Sequence, residues 1–464
     1  MGSINTRRSF LKHFGGAAAA LSSGLTFDAK AGSFLLESSI KPVFPADKIR
    51  IGLIGAGIIS HYDTDTALKV PGVEITAVCD LYEGRRIRAK EKWGSQIFTT
   101  VDYRELLART DVDAVLVCTS DHWHDRISID AMNAGKHVYC EKPMVHHIEE
   151  GAAVIATQKK TGKVFQVGSQ RASSVALMKA KEYLESGAIG DLTFIEGATD
   201  RTDARGAWQY SIPTDASPQT VDWDRYLGDA PKMPFDANRF FRWRNYKDYG
   251  TGVAGDLYVH LITGVHVMTG ALGPSTVYSV GDVTYWKDGR DAVDLMNCIL
   301  RYPKAEKFGP FQVYLRVNLA DGSGGRNTTR LVGTEGVIEL GWNDFKIRKL
   351  KRPIAPGYGG YDSFESFSKA QKDEFVKAYN AKFTAEQAKA IREPDVEFKA
   401  PANYDDRYDH MVVFFNAIKG EGQIVEDATF GLRAAAPSLA CNLSAEKQRI
   451  VTWDPVTMKL GKLV

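Results

Sequence analysis

The sequence predicts an α/β protein in two parts: a doubly wound parallel sheet on the N-terminal side, then an α+β domain with a large open, mostly antiparallel sheet. Three observations predict it. From residue 48 to about 170, short apolar strands alternate with helices, as a parallel sheet covered on both faces requires. Beyond residue 276, strands follow one another with no helix between them, the habit of antiparallel sheets. The chain has 464 residues, 44% of them hydrophobic, which is more than one core holds.

Charge narrows the function classes. Lys+Arg number 59 against 57 Asp+Glu, with no dense basic run, so no nucleic-acid partner is expected. No stretch approaches the ~20 apolar residues of a membrane span. Five cysteines are too few for a disulfide scaffold. Cys79, Cys118 and Cys140 each end an expected strand and read as small buried residues, and no metal site is expected.

The chain opens Thr6-Arg7-Arg8-Ser9-Phe10-Leu11-Lys12, then a weakly apolar alanine run and Ala29-Lys30-Ala31. This resembles a twin-arginine export signal over residues 1–31, which predicts a periplasmic protein without a membrane anchor. Residues 32–47, with Pro42 and Pro45, read as an arm or linker.

Lys48–Ile54 is a buried strand that runs into Gly55-Ala56-Gly57-Ile58-Ile59-Ser60 and a helix. Val73–Cys79 is a second strand, closed by Asp80. Strand, glycine turn, helix, strand and acid in that order predict a Rossmann dinucleotide-binding domain over 48–170. Gly55 allows the tight turn, and Gly57 lets a pyrophosphate approach the helix N-terminus beside Ile58 and Ile59. Ser60 stands where the third glycine of the fingerprint falls. Asp80 accepts from a ribose and favours NAD, whereas Arg85 on the next helix pairs with the 2′-phosphate if the cofactor is NADP. Then come a helix at Tyr103–Arg109, a strand at Asp113–Cys118, a helix at Arg126–Asn133, a strand at His137–Cys140, a helix at Glu149–Lys160 and a strand at Lys163–Val167.

The second part, 171–464, starts with a helix at Ala176–Ser186 and a strand at Leu192–Gly197. Further strands are expected at Thr276–Tyr285, Leu295–Arg301, Phe311–Asn318 and Thr329–Leu340, with a helical insertion over 362–391 and more helices over 405–446. Between these lies an aromatic-rich stretch whose rings and interleaved polar groups suit a sugar. Trp208 and Trp243 are the candidates there for a substrate wall.

The strand Asp113–Cys118 is followed by Thr119-Ser120-Asp121-His122-Trp123-His124, and the strand His137–Cys140 by Glu141-Lys142-Pro143. Gly255-Asp256-Leu257-Tyr258-Val259-His260 follows in the second part. Together with the glycine turn, these segments resemble the Gfo/Idh/MocA oxidoreductases, the glucose–fructose oxidoreductase and inositol dehydrogenase superfamily, in particular its secreted branch. The resemblance implies that Glu141, Lys142 and Pro143 sit beside the nicotinamide, with a cis peptide before Pro143. It also places Thr119, Ser120, His122, Trp123, His124 and Gln170 along the cofactor, and Arg171 toward the substrate. It further implies a homodimer or homotetramer built on the open sheet.

A secondary alcohol loses a hydride and a proton on oxidation, so its site needs a base and a polar hand on the hydroxyl. His260 is the expected base, with an ordinary pKa of ~6.5. Lys142 is expected on the substrate oxygen. Asp256, four residues before His260 on an expected helix, shares its face and is expected to accept from a sugar hydroxyl and orient the imidazole. Thr263 stands where many relatives carry an aspartate.

The expected function is an exported NAD(P)-dependent oxidoreductase acting on a secondary hydroxyl of a carbohydrate, with a tightly bound cofactor that cycles. Two alternatives stay open. One is a glycoside hydrolase that oxidises, eliminates, hydrates and reduces with no net redox change. The other is a non-catalytic sugar-binding relative.

Overall fold

The computed structural model describes residues 48–464; the expected export signal and linker lie outside the described residues. β1 (Ile49–Ile54), β2 (Val73–Cys79), β3 (Phe98–Thr100), β4 (Ala114–Val117), β5 (His137–Glu141) and β6 (Phe165–Gly168) form one sheet. Its order is β3-β2-β1-β4-β5-β6 and every pairing is parallel. The strand order reverses between β1 and β4, which opens a crevice beyond their carboxyl ends.

Alternate residues of these strands point to opposite faces and enter different cores. Ile51, Leu53, Leu116 and Tyr139 enter one, with Met411, Phe414 and Phe415 of the helix Asp406–Ile418. Val115, Val117, Val138 and Val167 enter the other, with Leu432, Ala435 and Leu439 of the helix Ala428–Lys447. The last long helices of the chain therefore cover both faces of its first sheet. Burying each phenylalanine contributes roughly 1.5–3 kcal/mol, so the two parts of the sequence stand or fall together.

The second sheet holds β7 (Leu192–Asp200), β8 (Thr276–Asp282), β9 (Leu295–Tyr302), β10 (Phe311–Asn318), β11 (Arg326–Gly333), β12 (Gly336–Leu340) and β13 (Asp344–Lys351). The short β14 (Ile391–Arg392), β15 (Val396–Lys399), β16 (Val451–Asp454) and β17 (Lys459–Leu463) complete it. Its path is β14-β13-β12-β11-β7-β10-β9-β8-β16-β17, with β15 on β13. Only β7 and β10 run parallel. The single strand expected over Thr329–Leu340 is a hairpin, β11 and β12, turning at Thr334 and Glu335. In the 362–391 segment, the helix Lys369–Lys382 carries a Ser368/Gln371 capping box and buries none of its residues.

One face of this sheet seats the helix Val259–Thr269. The Tyr258 hydroxyl donates to the Met296 carbonyl at 2.7 Å, fixing the helix start on β9. That bond decides where His260 points.

Candidate active site

Two cavities meet where the sheets face each other. The first follows the glycine turn. Gly55 has φ +87°, and a Cβ there would lie 2.7 Å from the Cys118 carbonyl oxygen. Gly57 begins the helix Ile58–Ala67, and a Cβ on it meets nothing closer than the Arg85 guanidinium at 3.9 Å. Asp80 accepts from the Ala56 amide at 2.7 Å and the Tyr82 amide at 2.8 Å, and pairs with Arg85 at 3.5 Å. Ile58, Ile59, Thr119, Ser120 and Trp123 complete this wall. Bare backbone at Gly57, a helix N-terminus and a carboxylate at the end of β2 fit a dinucleotide.

The opposite wall comes from the stretch after β7. Tyr226, Phe240, Phe241 and Trp243 close over the cleft, and Arg85 lies 5.5 and 5.3 Å from the centres of the two phenylalanine rings. Tyr82 clasps the two parts, pairing with Val221 and donating its hydroxyl to Asp215 at 2.6 Å. This corrects the expectation for Trp243. It lines the dinucleotide cleft, not the substrate cavity, because the Arg244 guanidinium packs 4.2 Å from its ring centre and occupies the substrate side.

The second cavity, about 320 Å³, contains Lys142, Asp256 and His260, and falls in the ~300–1,000 Å³ range of small-molecule sites. The Lys142–Pro143 peptide is cis. The Lys142 ammonium donates to Asp256 Oδ1 at 2.8 Å and to its backbone carbonyl at 3.0 Å, while Arg244 Nε donates to the same Oδ1 at 3.0 Å. Burial acts to raise the Asp256 pKa, but the two cations outweigh it and hold the carboxyl well below the usual range.

His260 departs from the expected arrangement. Asp256 sits in a π-helical turn, Ala254–Tyr258, and His260 in the α-helix that follows. The wider turn breaks the i, i+4 stacking of a regular helix, and the carboxylate is drawn to the two cations. Among the described residues Asp256 makes no hydrogen bond to the imidazole, and His260 Nδ1 is buried without a partner. Burial, then the Lys142 charge, push the His260 pKa down to about 3. The imidazole is neutral, with Nδ1 unengaged.

Other candidates sort by distance from these cavities. Glu141 and Gln170 face the second cavity, and Gln170 Nε2 donates to Glu141 Oε1 at 2.7 Å. His124 is a brace: its ring nitrogens lie 2.7 Å from the Pro143 carbonyl oxygen and 3.2 Å from that of Thr119. His122 turns away from the cofactor, its Nε2 donating to the Tyr226 carbonyl at 2.9 Å, and burial depresses its pKa to about 4. Pro143 and His124 therefore support the cleft from behind, and His122 lies outside it. Trp208 is fully buried in the wall of the second cavity with φ +63°, a backbone conformation costing ~1–3 kcal/mol that surrounding structure must over-determine. Arg171 faces the same cavity, tied to the Gly341 carbonyl at 2.8 Å and stacked on Trp342.

Sequence reasoning missed Arg244, the second cation on Asp256. It also missed Asp63, fully buried against Glu141; burial and the Glu141 charge raise the Asp63 pKa well above the ordinary value. Arg201, at the end of β7, lines the second cavity as well. Arg244 carried no signal among three neighbouring arginines. Asp63, a carboxylate on the buried side of an apolar helix, did.

Residues 49–169 match the oxidoreductase family, NAD-binding Rossmann fold, and residues 179–302 its C-terminal alpha/beta domain, together just over half of the chain. Inositol 2-dehydrogenase of Salmonella typhimurium is 32% identical over 151 residues, 32% of this chain and 45% of that protein. An alpha-N-acetylgalactosaminidase of Shewanella oneidensis is 34% identical over 172 residues, 34% of this chain and 38% of that protein. The chain thus spans less than half the length of the curated relatives it matches. A levoglucosan dehydrogenase solved with NADH and levoglucosan superposes with a TM-score of 0.61 at 20% identity, over 88% of this chain and 99% of that one, and so shares the fold. With the glycine turn, the cis Lys142–Pro143 link and both matched regions in one continuous architecture, the chain belongs to the Gfo/Idh/MocA oxidoreductase family.

Proposed function

We propose that the protein is an NAD-dependent dehydrogenase acting on a secondary hydroxyl of a sugar, sugar alcohol or glycoside. One observation carries the reading: an ammonium anchored by a carboxylate and a neutral imidazole share a cavity that adjoins the dinucleotide cleft, the two meeting at Ile58, Ile59, Tyr210 and Arg244. The nicotinamide, when bound, accepts or returns the hydride. Gly55, Gly57, Asp80 and Arg85 hold the dinucleotide; Asp80 favours the free ribose of NAD, and Arg85 serves a 2′-phosphate if NADP is taken instead. Lys142 hydrogen-bonds the substrate oxygen and stabilises it as negative charge develops. His260 takes the proton.

The twin-arginine pattern supports export to the periplasm, where fresh dinucleotide is scarce. The aromatic wall over the cleft supports a retained cofactor that cycles between two carbohydrate substrates. The exposed face of the second sheet, where Tyr278 pairs across strands with Ile299 beside Val280, supports a homodimer or homotetramer.

The likeness to an alpha-N-acetylgalactosaminidase favours a second reading, redox-neutral glycoside cleavage at the same site. The test begins with mass spectrometry of the denatured protein for released NAD or NADP. Sugars and glycosides are then offered to the loaded protein. Lasting reduction of the nicotinamide supports the dehydrogenase. Release of the aglycone with no net absorbance change supports the second reading. A protein that holds no dinucleotide and oxidises no sugar ends both.

A further inference from the structure

The second cavity carries more positive than negative charge. Lys142, Arg171, Arg201, Arg244 and Arg407 line it, against the carboxyls of Glu141, Asp256 and Asp406. Two of the cations are accounted for, since Lys142 and Arg244 share Asp256. The Glu141 carboxylate is committed elsewhere, accepting from Gln170 Nε2 at 2.7 Å, and burial raises its pKa.

Arg171 and Arg201 are different. Among the described residues, each side chain makes one hydrogen bond, and each goes to a neutral carbonyl: Arg171 to Gly341 at 2.8 Å, Arg201 to Gly206 at 2.8 Å. Neither forms an ion pair among the described residues. A guanidinium has five donors in a fixed fork, so most of each fork is open to the cavity. Arg171 is also held flat, 4.8 Å from the centre of the Trp342 ring. Both lie close enough to the base for their charges to act on His260. They are oriented cations with no counter-charge in contact, beside the reacting centre; Asp406 acts on Arg171, and Asp256 on Arg201, only from beyond ion-pair distance.

The cofactor does not supply that counter-charge. The arginines facing the dinucleotide cleft are Arg85, Arg225 and Arg244, and neither Arg171 nor Arg201 lines it. A neutral sugar would leave two half-buried guanidiniums without a charged partner. An oxyanion that can accept two parallel hydrogen bonds matches the fork.

We propose that the carbohydrate taken by this cavity is anionic, a sugar acid or a sugar sulfate, whose charged group is bound by Arg171 and Arg201. The inference rests on the dehydrogenase reading above and narrows its substrate class.

The experiment uses the purified full chain loaded with NAD. Glucuronate, galacturonate and glucose 6-sulfate are compared with glucose and galactose, following nicotinamide reduction, and the binding of glucuronate and glucose is measured by calorimetry at low and high salt. The anionic sugars are expected to exceed their neutral parents in kcat/KM by about tenfold or more; the uronate and sulfate arms separate the two sources of the anion. Arg201→Gln is expected to erase that preference, mainly through KM, and Arg171→Gln serves as the second variant if the first does not fold. Neutral sugars oxidised as well as the acids overturn the inference and leave the dehydrogenase reading intact. If no sugar of either kind reduces the nicotinamide, the reaction assignment fails and calorimetry decides: glucuronate binding no tighter than that of glucose overturns the inference. Tighter glucuronate binding that weakens with salt and in Arg201→Gln upholds it.

Discussion

The Lys142 ammonium grips Asp256 twice, at the carboxylate (2.8 Å) and at the backbone carbonyl (3.0 Å), tying the link after β5 to the helix that carries His260. Asp256 thus positions the lysine and not the imidazole. Asp256→Asn keeps a side-chain acceptor and the backbone carbonyl but removes the charge facing two cations, so Lys142 is held less firmly. The expected result is a kcat lower by on the order of 10²-fold, with dinucleotide content unchanged by mass spectrometry. A wild-type kcat in this variant would show that Lys142 needs no carboxylate.

His260 gives a pH signature. Its pKa in the fold is about 3 against an ordinary 6.5, because burial and then Lys142 oppose the charged ring. Between those values the unfolded chain binds the proton and the folded one does not. Stability from this group is therefore fully present above the ordinary pKa and is lost as pH falls toward about 3. For catalysis the base stays deprotonated through neutrality. The acid limb of kcat/KM due to this ring is expected well below its ordinary pKa, and His260→Gln should cost ~10²–10⁴-fold at every pH above that limb. An acid limb near 6.5 that disappears in His260→Gln would mean the ring titrates as if exposed.

Glu426 makes the opposite prediction for stability. Both its carboxyl oxygens are buried, and burial pushes its pKa up to about 8, with the nearby Ser169 and Thr263 hydroxyls partly opposing. Here the folded pKa lies above the unfolded one. The contribution is whole at acid pH and is lost as pH rises from 4.5 toward about 8. Glu426→Gln is expected to melt higher than wild type at the alkaline end, by on the order of 1–4 kcal/mol, with the gap closing toward pH ~5. Thermal melts of both proteins across that range check it. A constant difference would mean the carboxyl does not titrate on unfolding.

Much of this site was legible because its parts are local. Gly55, Gly57 and Asp80 announce themselves by spacing along one strand–turn–helix–strand unit, and Lys142 by the motif that follows β5. Relations between distant segments left no mark. Nothing near Arg244 says that its guanidinium meets Asp256, and the π turn that separates Asp256 from His260 has no periodicity to read. His122 lies just beyond a strand, where a cofactor ligand is expected, yet its ring bonds a carbonyl more than 100 positions away. Strands with charged alternation, such as Asp344–Lys351, and very short ones, such as Phe98–Thr100 and Val451–Asp454, lack the apolar pattern that made the other five strands of the first sheet plain. The role of the last two long helices depends on which sheet they cover, and their own apolar faces fit either.

The two turn glycines separate folding from cofactor binding. At Gly55 the backbone has φ +87°, and a Cβ would sit 2.7 Å from the main-chain oxygen of Cys118, which cannot swing aside. Gly55→Ala is therefore expected to lose stability and dinucleotide together, by ~1–3 kcal/mol for the backbone conformation alone. Gly57 has φ −82°, which any residue adopts, and its Cβ would point toward Arg85 across 3.9 Å of open space. Gly57→Ala should melt within ~0.5 kcal/mol of wild type. Its methyl nevertheless stands where the pyrophosphate must meet the helix N-terminus, so NAD affinity should fall about tenfold or more by titration. Wild-type affinity in Gly57→Ala would move the pyrophosphate elsewhere, and with it the whole orientation of the nicotinamide toward Lys142 and His260.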